Sequence, residues 1–445
     1  MTSSNDVFGD SWAGRRVAVV GLGRSGLAAA ELLCRAGARV CATEARDTPA
    51  LRQAAGALTA LGADTIELGG HTKQLIEAAE VVIVSPGVPE ADGPVAWALE
   101  QGRPVLSEIE LAFRFCRSPI IAVTGTNGKS TAVTSIVELL RAVRREAIAC
   151  GNLGTPFSSI IEQLTPQTTV VLEVSSFQLL WCDAFRPHLG VLLNIGVNHL
   201  DRHRDPDAYL AAKSRLFRRQ TPEDWAVLNG ADPRIAAVGE SLVSRRVWFG
   251  DNRSNPPRFH VAAETQRAFS QRDQAILQVG RILGIPDPLS WQVMRQFHGL
   301  EHRLEPVAVM RRGIRFINDS KSTTPDSLLF ALRQTPGELI VILGGRDKGM
   351  DFAPLVQPLH EARIQEIVLI GESRSRLRNL LNGIPNPPVI EEATLEQAVQ
   401  SAAELARPGT TILFSPACAS FDMFKDFEDR GRAFKAIVHR LADRG

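Results

Sequence analysis

The sequence is short of most features that would tie it to a membrane, a nucleic acid or an oxidising compartment. Its 445 residues carry 50 Lys plus Arg against 49 Asp plus Glu, a formal net charge of +1. No excess of one sign therefore draws it to nucleic acid or acidic lipid. No stretch reaches the roughly 18 uncharged apolar residues of a membrane span. The opening MTSSNDVFGDSWAGRR has no apolar run between its charges, so neither a signal peptide nor membrane insertion is expected, and a cytoplasmic protein is the default. The six cysteines (Cys34, Cys41, Cys116, Cys150, Cys182 and Cys418) include no C-x-x-C or similar close pair. That argues against a disulfide framework and against a zinc knuckle, and points to reduced thiols. There is no low-complexity tract and no repeat at a period of about 20 to 50 residues, which sets aside solenoids and propellers.

What the chain does have is rhythm. Short apolar runs at Val17–Gly21, Val81–Ser85, Ile120–Thr124, Val170–Val174, Val191–Asn194, Ile340–Gly344, Ile367–Ile370 and Thr411–Ser415 alternate with longer helical patterns, the signature of parallel α/β sheets. Most of these runs end in Gly, Ser, Thr or Asn, so ligand sites are expected beyond the carboxyl ends of the strands. At about 100 to 200 residues per domain the length suits two to four domains. Three blocks are expected, 1–116, 117–306 and 307–445. The polar stretch Asn252–Arg272, with its Pro pair, reads as a surface excursion within the middle block.

In the first block VAVVGLGRSG places G-x-G-x-x-G at Gly21, Gly23 and Gly26, between a strand and a helix expected over Leu27–Ala36. A second strand, Arg39–Thr43, ends at the acidic Glu44. Such glycines let backbone approach a phosphate, and the acid can hold a ribose hydroxyl. A nicotinamide or flavin dinucleotide, another nucleotide, or a tight turn without ligand all satisfy the pattern. In the second block IIAVTGTNGKST (Ile120–Thr131) is a strand, a Gly-bearing turn, and a Lys and Ser opening a helix. Backbone N–H groups there converge on phosphate oxygens, Lys129 adds charge for the outer phosphates, and the Ser130 or Thr131 hydroxyl can reach Mg²⁺. Val123 stands where the eight-residue nucleotide-loop pattern has its first glycine. Glu173 and His199 each lie at or just past an apolar run, where an isolated polar group is costly unless paired or metal-bound. A helix cap, an ion pair or an ordinary hydrogen bond would also account for them.

GTNGKST, GNLGTP (Gly151–Pro156), LEVSSFQL, NHLDRH followed by AAKSRLF, HRLE (His302–Glu305), NDSKSTTPDS (Asn318–Ser327), LGGRDKGMDF (Leu343–Phe352) and SPACASFDMFKDFEDRG (Ser415–Gly431) together resemble the Mur ligases, over nearly the whole chain and in consistent order. The resemblance implies an α/β protein of three domains: a Rossmann-like N-terminal domain for a uridine nucleotide, a central P-loop ATPase domain, and a Rossmann-like C-terminal domain that brings an amino acid. The implied reaction joins D-glutamate to UDP-N-acetylmuramoyl-L-alanine with ATP and Mg²⁺, through an acyl phosphate, in cytoplasmic peptidoglycan precursor synthesis by a monomer. The glycine fingerprint would then hold uridine nucleotide and not NAD.

The same resemblance assigns roles by position. Gly125, Thr126, Asn127, Gly128, Lys129, Ser130, Thr131, Arg303 and Asp319 would bind ATP. Ser130 and Glu173 would share one Mg²⁺ and His199 a second, which Lys213 would orient as a carbamate. Lys129, Glu173, His199 and Lys213 form the implied catalytic set. Ser25, Glu44, Arg46, Gly87 and Asn152 would contact the UDP-substrate, Thr323, Lys348, Ser420 and Phe427 the D-glutamate, and Lys321 phosphate or substrate. For Arg303 an interdomain ion pair is the alternative, and for Lys213, taken without the family, a solvated helix lysine. Two positions depart from the family pattern. Asn198 stands where an acid commonly precedes the metal histidine, and Ala268–Asp273 (AFSQRD) lacks the G-x-H-N-x-x-N helix start that meets adenine. Those departures leave open an amide ligase with another acceptor (L-glutamate, or one similar to folylpolyglutamate synthase) and a silent nucleotide-binding paralogue, while the first-block fingerprint leaves open an NAD-binding oxidoreductase.

Overall fold

The computed structural model describes residues 11–90, 93–152, 154–196, 205–250, 270–297, 299–347, 349–381 and 387–443. His199, Asn198, Lys348 and residues 252–269 of the expected excursion lie outside them. By internal packing the chain divides once, between Phe297 and His298. The first unit contains two sheets and the second contains one.

The first sheet comprises β1 (Arg16–Val20), β2 (Arg39–Glu44), β3 (Thr65–Leu68), β4 (Val81–Val84) and β5 (Val105–Ser107), parallel in the order β3-β2-β1-β4-β5. Val17, Val19, Val40 and Ala42 face a core shared with Ala29, Ala30, Leu32 and Leu33 of the helix Arg24–Arg35. The small alanines let that helix lie close on the sheet. It starts three residues before the expected Leu27 and packs tightly on the glycine turn: a Cβ on Gly26 would fall 1.8 Å from the Gly21 carbonyl oxygen. Only glycine fits there.

The second sheet comprises β6 (Ile120–Thr124), β7 (Ala147–Gly151), β8 (Thr169–Glu173), β9 (Leu189–Leu192), β10 (Trp225–Asn229) and β11 (Arg245–Phe249), parallel in the order β11-β10-β9-β6-β8-β7. Strand β6 is buried along its whole length. From it the chain runs first to one side, through β7 and β8, and then to the other, through β9 to β11. The order therefore reverses around β6, which opens a crevice at the carboxyl ends of β6, β8 and β9.

The second unit has β12 (Glu305–Val309), β13 (Arg315–Asn318), β14 (Leu339–Gly344), β15 (Ile364–Ile370), β16 (Val389–Glu391) and β17 (Thr411–Phe414), in the order β12-β13-β17-β14-β15-β16. Each of the eight apolar runs read from the sequence coincides with or overlaps a strand of these three sheets. The third sheet is mixed, because β12 pairs antiparallel with β13 through a tight connection in which Arg312 takes φ +64°.

The helix Glu108–Phe115, capped by the Ser107 hydroxyl, follows β5 into the second sheet's layer and buries two carboxyl groups with unlike surroundings. Glu110 accepts from the backbone N–H of Asp183, Ala184 and Phe185 and pairs with Arg114 at 2.7 Å. Glu108 accepts from Ser158 N at 2.5 Å, and its Oε2 has no partner. Burial pushes its carboxyl up to about 7. Below the ordinary carboxylate range both folded and unfolded chains hold this proton. Between about 4.5 and 7 only the folded chain does, so stability falls as pH rises through that window and levels off above it. Glu108→Gln keeps the acceptor for Ser158 and is expected to recover up to about 3 kcal/mol at pH 8 but little at pH 4, read by denaturant melts at both pH values.

Candidate active site

The loop after β6 is shaped by two glycines at positive φ, Gly125 at +151° and Gly128 at +81°. Gly128 caps the helix Lys129–Ala142 without a side-chain acceptor, so the first helical N–H groups face the loop as anion donors. Asn194, just past β9, holds the loop's curve. Its Oδ1 accepts from Thr126 N at 3.1 Å and Asn127 N at 2.9 Å, and its Nδ2 donates to Asn127 O. The Thr126 hydroxyl accepts from Gly196 N at 2.9 Å. Lys129 Nζ donates to the carbonyls of Gly125 and Thr126, both at 2.9 Å, which keeps its charge over the loop. Ser130 is buried in the first turn of the helix and Thr131 half-buried beside it.

Glu173 closes β8, next to β6. Its Oε1 accepts from Asn152 Nδ2 at 2.9 Å, while its Oε2 is buried and has no hydrogen-bond partner. An orphaned anionic oxygen of this kind suits a cation. Among the described residues no three His, Cys, Asp or Glu gather as a metal cluster. The oxygens offered at the ends of these adjacent strands are instead the Glu173 carboxylate and, in the first turn of the helix that follows β6, the Ser130 hydroxyl, the hard donors that Mg²⁺ takes together with phosphate and water.

Lys213 lies on the helix Pro206–Ser214 and is only 1% exposed. Its Nζ donates to Gly125 O at 3.0 Å and reaches Thr124 Oγ1 at 3.5 Å, and it stands 4.5 Å over the Tyr209 ring. The Tyr209 hydroxyl in turn takes a hydrogen bond from Thr126 Oγ1 at 3.4 Å. Burial, aided by the Lys129 charge and opposed by Glu173, drives the Lys213 ammonium well below the ordinary lysine range. The structure thus brings Gly125 to Thr131, Glu173 and Lys213 to one end of one sheet.

The helix Gln271–Ile282 begins in the segment that departs from the family pattern. Ser270 and Asp273 form a capping box, and Gln271 Oε1 accepts from Asn229 Nδ2 at 3.2 Å. A Cβ on Gly128 would lie 3.6 Å from the Arg272 chain, so the aliphatic stem of Arg272 rests against the phosphate loop.

At the first sheet, Glu44 Oε2 accepts from Leu22 N at 2.9 Å and its Oε1 from Arg46 Nε at 3.0 Å. Burial works against its charge, but the Arg46 guanidinium and the Leu22 N–H outweigh it and hold the carboxyl below its usual range. Ser25 is the second residue of the helix Arg24–Arg35 that follows the glycine turn, and Gly87 is exposed in the loop after β4. Asn152, grouped with these by sequence, is instead bonded to Glu173 through both its side chain and its backbone N–H.

In the second unit Asp319, past β13, is buried with both oxygens in use. Its Oδ1 accepts from Leu304 N at 3.0 Å, and its Oδ2 from the hydroxyls of Ser322 and Ser415 at 2.6 and 2.7 Å. Burial raises its carboxyl despite these bonds. Asp319 therefore anchors the segment carrying Arg303, which runs through left-handed backbone at His302 and Leu304 and sets Arg303 5.9 Å over the Phe330 ring. Lys321 stands 5.9 Å over the Phe427 ring. Thr323 lies in the loop after β13 and Ser420 in the loop after β17, while Phe427 opens the last helix, Phe427–Ala442.

Asn194, Tyr209, Arg272 and the buried Arg430 were not singled out by sequence. Two of them had a signal: the Val191–Asn194 run ends in an amide at a strand end, and Tyr209 sits four residues before Lys213 on one helix face.

Three family models match the chain: the Mur ligase MurD-like N-terminal domain over residues 15–107, the Mur ligase middle domain over 123–281, and the Mur ligase glutamate ligase domain over 302–418. Among curated proteins, the UDP-N-acetylmuramoylalanine–D-glutamate ligase of Anaeromyxobacter dehalogenans is 40% identical, covering 96% of this chain and 98% of its own. That of Geobacter sp. strain M21 is 37% identical, covering 95% and 97%. Among solved structures, the MurF ligase of Thermotoga maritima in complex with ADP aligns with TM-score 0.56 at 14% identity, covering 97% of this chain and 96% of its own. The UDP-N-acetylmuramate–alanine ligase MurC of the same organism aligns with TM-score 0.53 at 17% identity, covering 97% and 100%. At such identities these two likenesses speak for the fold.

Proposed function

The chain belongs to the Mur ligase family, and from that premise we propose that it joins D-glutamate to UDP-N-acetylmuramoyl-L-alanine with conversion of ATP to ADP and phosphate. The observation that carries the reading is the meeting of Lys129, the orphaned Glu173 oxygen and the buried Lys213 at the ends of β6 and β8. A carboxylate is a poor electrophile. Transfer of the γ-phosphoryl group to the alanyl carboxylate makes it an acyl phosphate, which the amine of D-glutamate attacks, and phosphate leaves as the amide forms. Charge on the moving phosphoryl group must be offset, and the loop N–H groups and Lys129 are placed to do so.

Ser130 and Glu173 would hold Mg²⁺, with His199 and Lys213 serving a second ion. Bound Mg²⁺ supplies charge neutralisation on the phosphate oxygens. Lys213 in this reading is a carbamate: an amine buried beside Lys129 is disposed to stay neutral, and a neutral amine can add CO₂. Ser25, Glu44, Arg46 and Gly87 would hold the uridine nucleotide, and Thr323, Lys348, Ser420 and Phe427 the D-glutamate. Asn152 would act on the substrate through its bond to Glu173. Among the described residues no helix is long and apolar enough to cross a membrane. The proposed enzyme is cytoplasmic and works as a monomer on nucleotide-linked precursors.

The test is phosphate release from ATP with Mg²⁺, UDP-N-acetylmuramoyl-L-alanine and either D- or L-glutamate. Release is expected with the D isomer only. Release with the L isomer alone points to another acceptor, and none with either, from folded protein, removes the ligase reading.

A further inference from the structure

We propose that Arg430 is a positioning residue for the amino-acid acceptor, an inference that rests on the D-glutamate reading above. Arg430 lies in the second turn of the helix Phe427–Ala442 and is fully buried. Its Nε donates to Ser320 Oγ at 3.0 Å, its Nη1 to Cys418 O at 3.0 Å and its Nη2 to Ser320 O at 2.8 Å. None of these partners is a carboxylate. Ser320 Oγ passes the chain of bonds on to Phe427 O at 2.8 Å. The end of β14 makes room: Gly345, at φ +147°, would carry a Cβ only 3.2 Å from Arg430 Nη1.

One guanidinium therefore ties together the loop after β13, the loop after β17 and the start of the last helix. Those three segments carry Thr323, Ser420 and Phe427. Tying loops needs only neutral donors. A full charge taken out of water and hydrogen-bonded only to carbonyls and a hydroxyl, with the Phe414 ring 5.9 Å away and the Asp422 carboxylate acting only through space, is expensive, and burial outweighs the Asp422 charge and holds the guanidinium down to about 10. No carboxylate in hydrogen-bonding contact consumes this charge, so it is left to favour an incoming dicarboxylate. The geometry accounts for the arrangement if Arg430 both fixes the loops that grip the acceptor and makes their surroundings positive before it arrives.

The experiment compares wild type, Arg430→Lys, Arg430→Met and Ser320→Ala, measuring KM for D-glutamate, ATP and UDP-N-acetylmuramoyl-L-alanine and kcat at saturation. Arg430→Met is expected to raise KM for D-glutamate by about 10- to 100-fold while the other two KM values stay within about twofold. Arg430→Lys, which restores the charge, should recover most of that loss. Ser320→Ala, which removes the acceptor of Arg430 Nε together with the link to Phe427 but keeps the charge, should raise the same KM by a few-fold, and it decides the matter together with Arg430→Lys if the Met variant does not fold. An unchanged KM for D-glutamate, an equal rise for all three substrates, or no recovery with Lys overturns the proposal. Wild type that turns over no D-glutamate fails the functional reading and this one with it, whereas a wild type that does so with an indifferent Arg430→Met fails this one alone.

Discussion

Lys129→Ala is expected to cut phosphate release by about 10²- to 10³-fold, the loss seen when one preorganised donor to developing charge is removed. Lys129 is half-buried at the start of its helix and donates to the carbonyls of Gly125 and Thr126. Helix formation there does not depend on it, because the first turn is capped by Gly128 and the helix buries Ala132, Val133, Ile136, Val137, Leu139 and Leu140. The variant should therefore melt within a few degrees of wild type while losing turnover. Lys129→Arg keeps the charge but not the compact ammonium, and should recover only part of the rate. A variant that keeps its activity would mean that the loop N–H groups suffice, and the charge assigned to Lys129 would be superfluous.

Lys213→Met is expected to cut turnover by about 10²- to 10⁴-fold, the range of several kcal/mol that metal-linked charge stabilisation supplies. Its effect on stability should have the opposite sign. An ammonium whose pKa is depressed on folding makes the folded chain bind fewer protons than the unfolded one. Stability then rises with pH from the depressed pKa up to the ordinary lysine value and is flat above it. Methionine removes that dependence and relieves the buried charge, so the variant should be at least as stable as wild type near neutral pH. If Lys213 carries CO₂, buffer stripped of CO₂ should slow the wild type, bicarbonate should restore it, and isotopically labelled bicarbonate should give a carbamate signal that the variant lacks. Indifference to CO₂ together with no labelled signal would leave Lys213 as a neutral amine only.

The two variants are coupled. The Lys129 charge is one of the forces that lowers the Lys213 pKa, so Lys129→Ala should move any CO₂ dependence to higher pH.

The parts of the molecule legible in the sequence are those written locally. Ile120–Thr131 holds its strand, its turn and its helix start in one run of residues, and the glycines at 21, 23 and 26 declare a tight turn wherever the rest of the chain goes. Asn194 meets the loop it shapes only because β9 pairs with β6, 67 or 68 residues apart in the chain. Arg430 meets Ser320 across 110 residues. No window of sequence shows such neighbours. Asn152 illustrates the converse: its motif is plain, but its partner is Glu173, brought beside it by the pairing of β7 with β8. The antiparallel β12 was also invisible, since its direction turns on Arg312 and Gly313 both adopting left-handed backbone in a three-residue bend. Asp319 reads as a phosphate contact, yet its oxygens are taken by Leu304, Ser322 and Ser415, a use that depends on where β17 ends.

Tyr209 is the only tyrosine in the chain, and it stands with its ring under the Lys213 nitrogen and its hydroxyl on Thr126. A fluorinated tyrosine introduced throughout the protein would therefore enter at one place and give one resonance. That nucleus would sense the charge on its neighbour directly, distinguishing ammonium, amine and carbamate by their fields, and would report the filling of the phosphate loop from inside the reaction chamber with no label attached to any substrate.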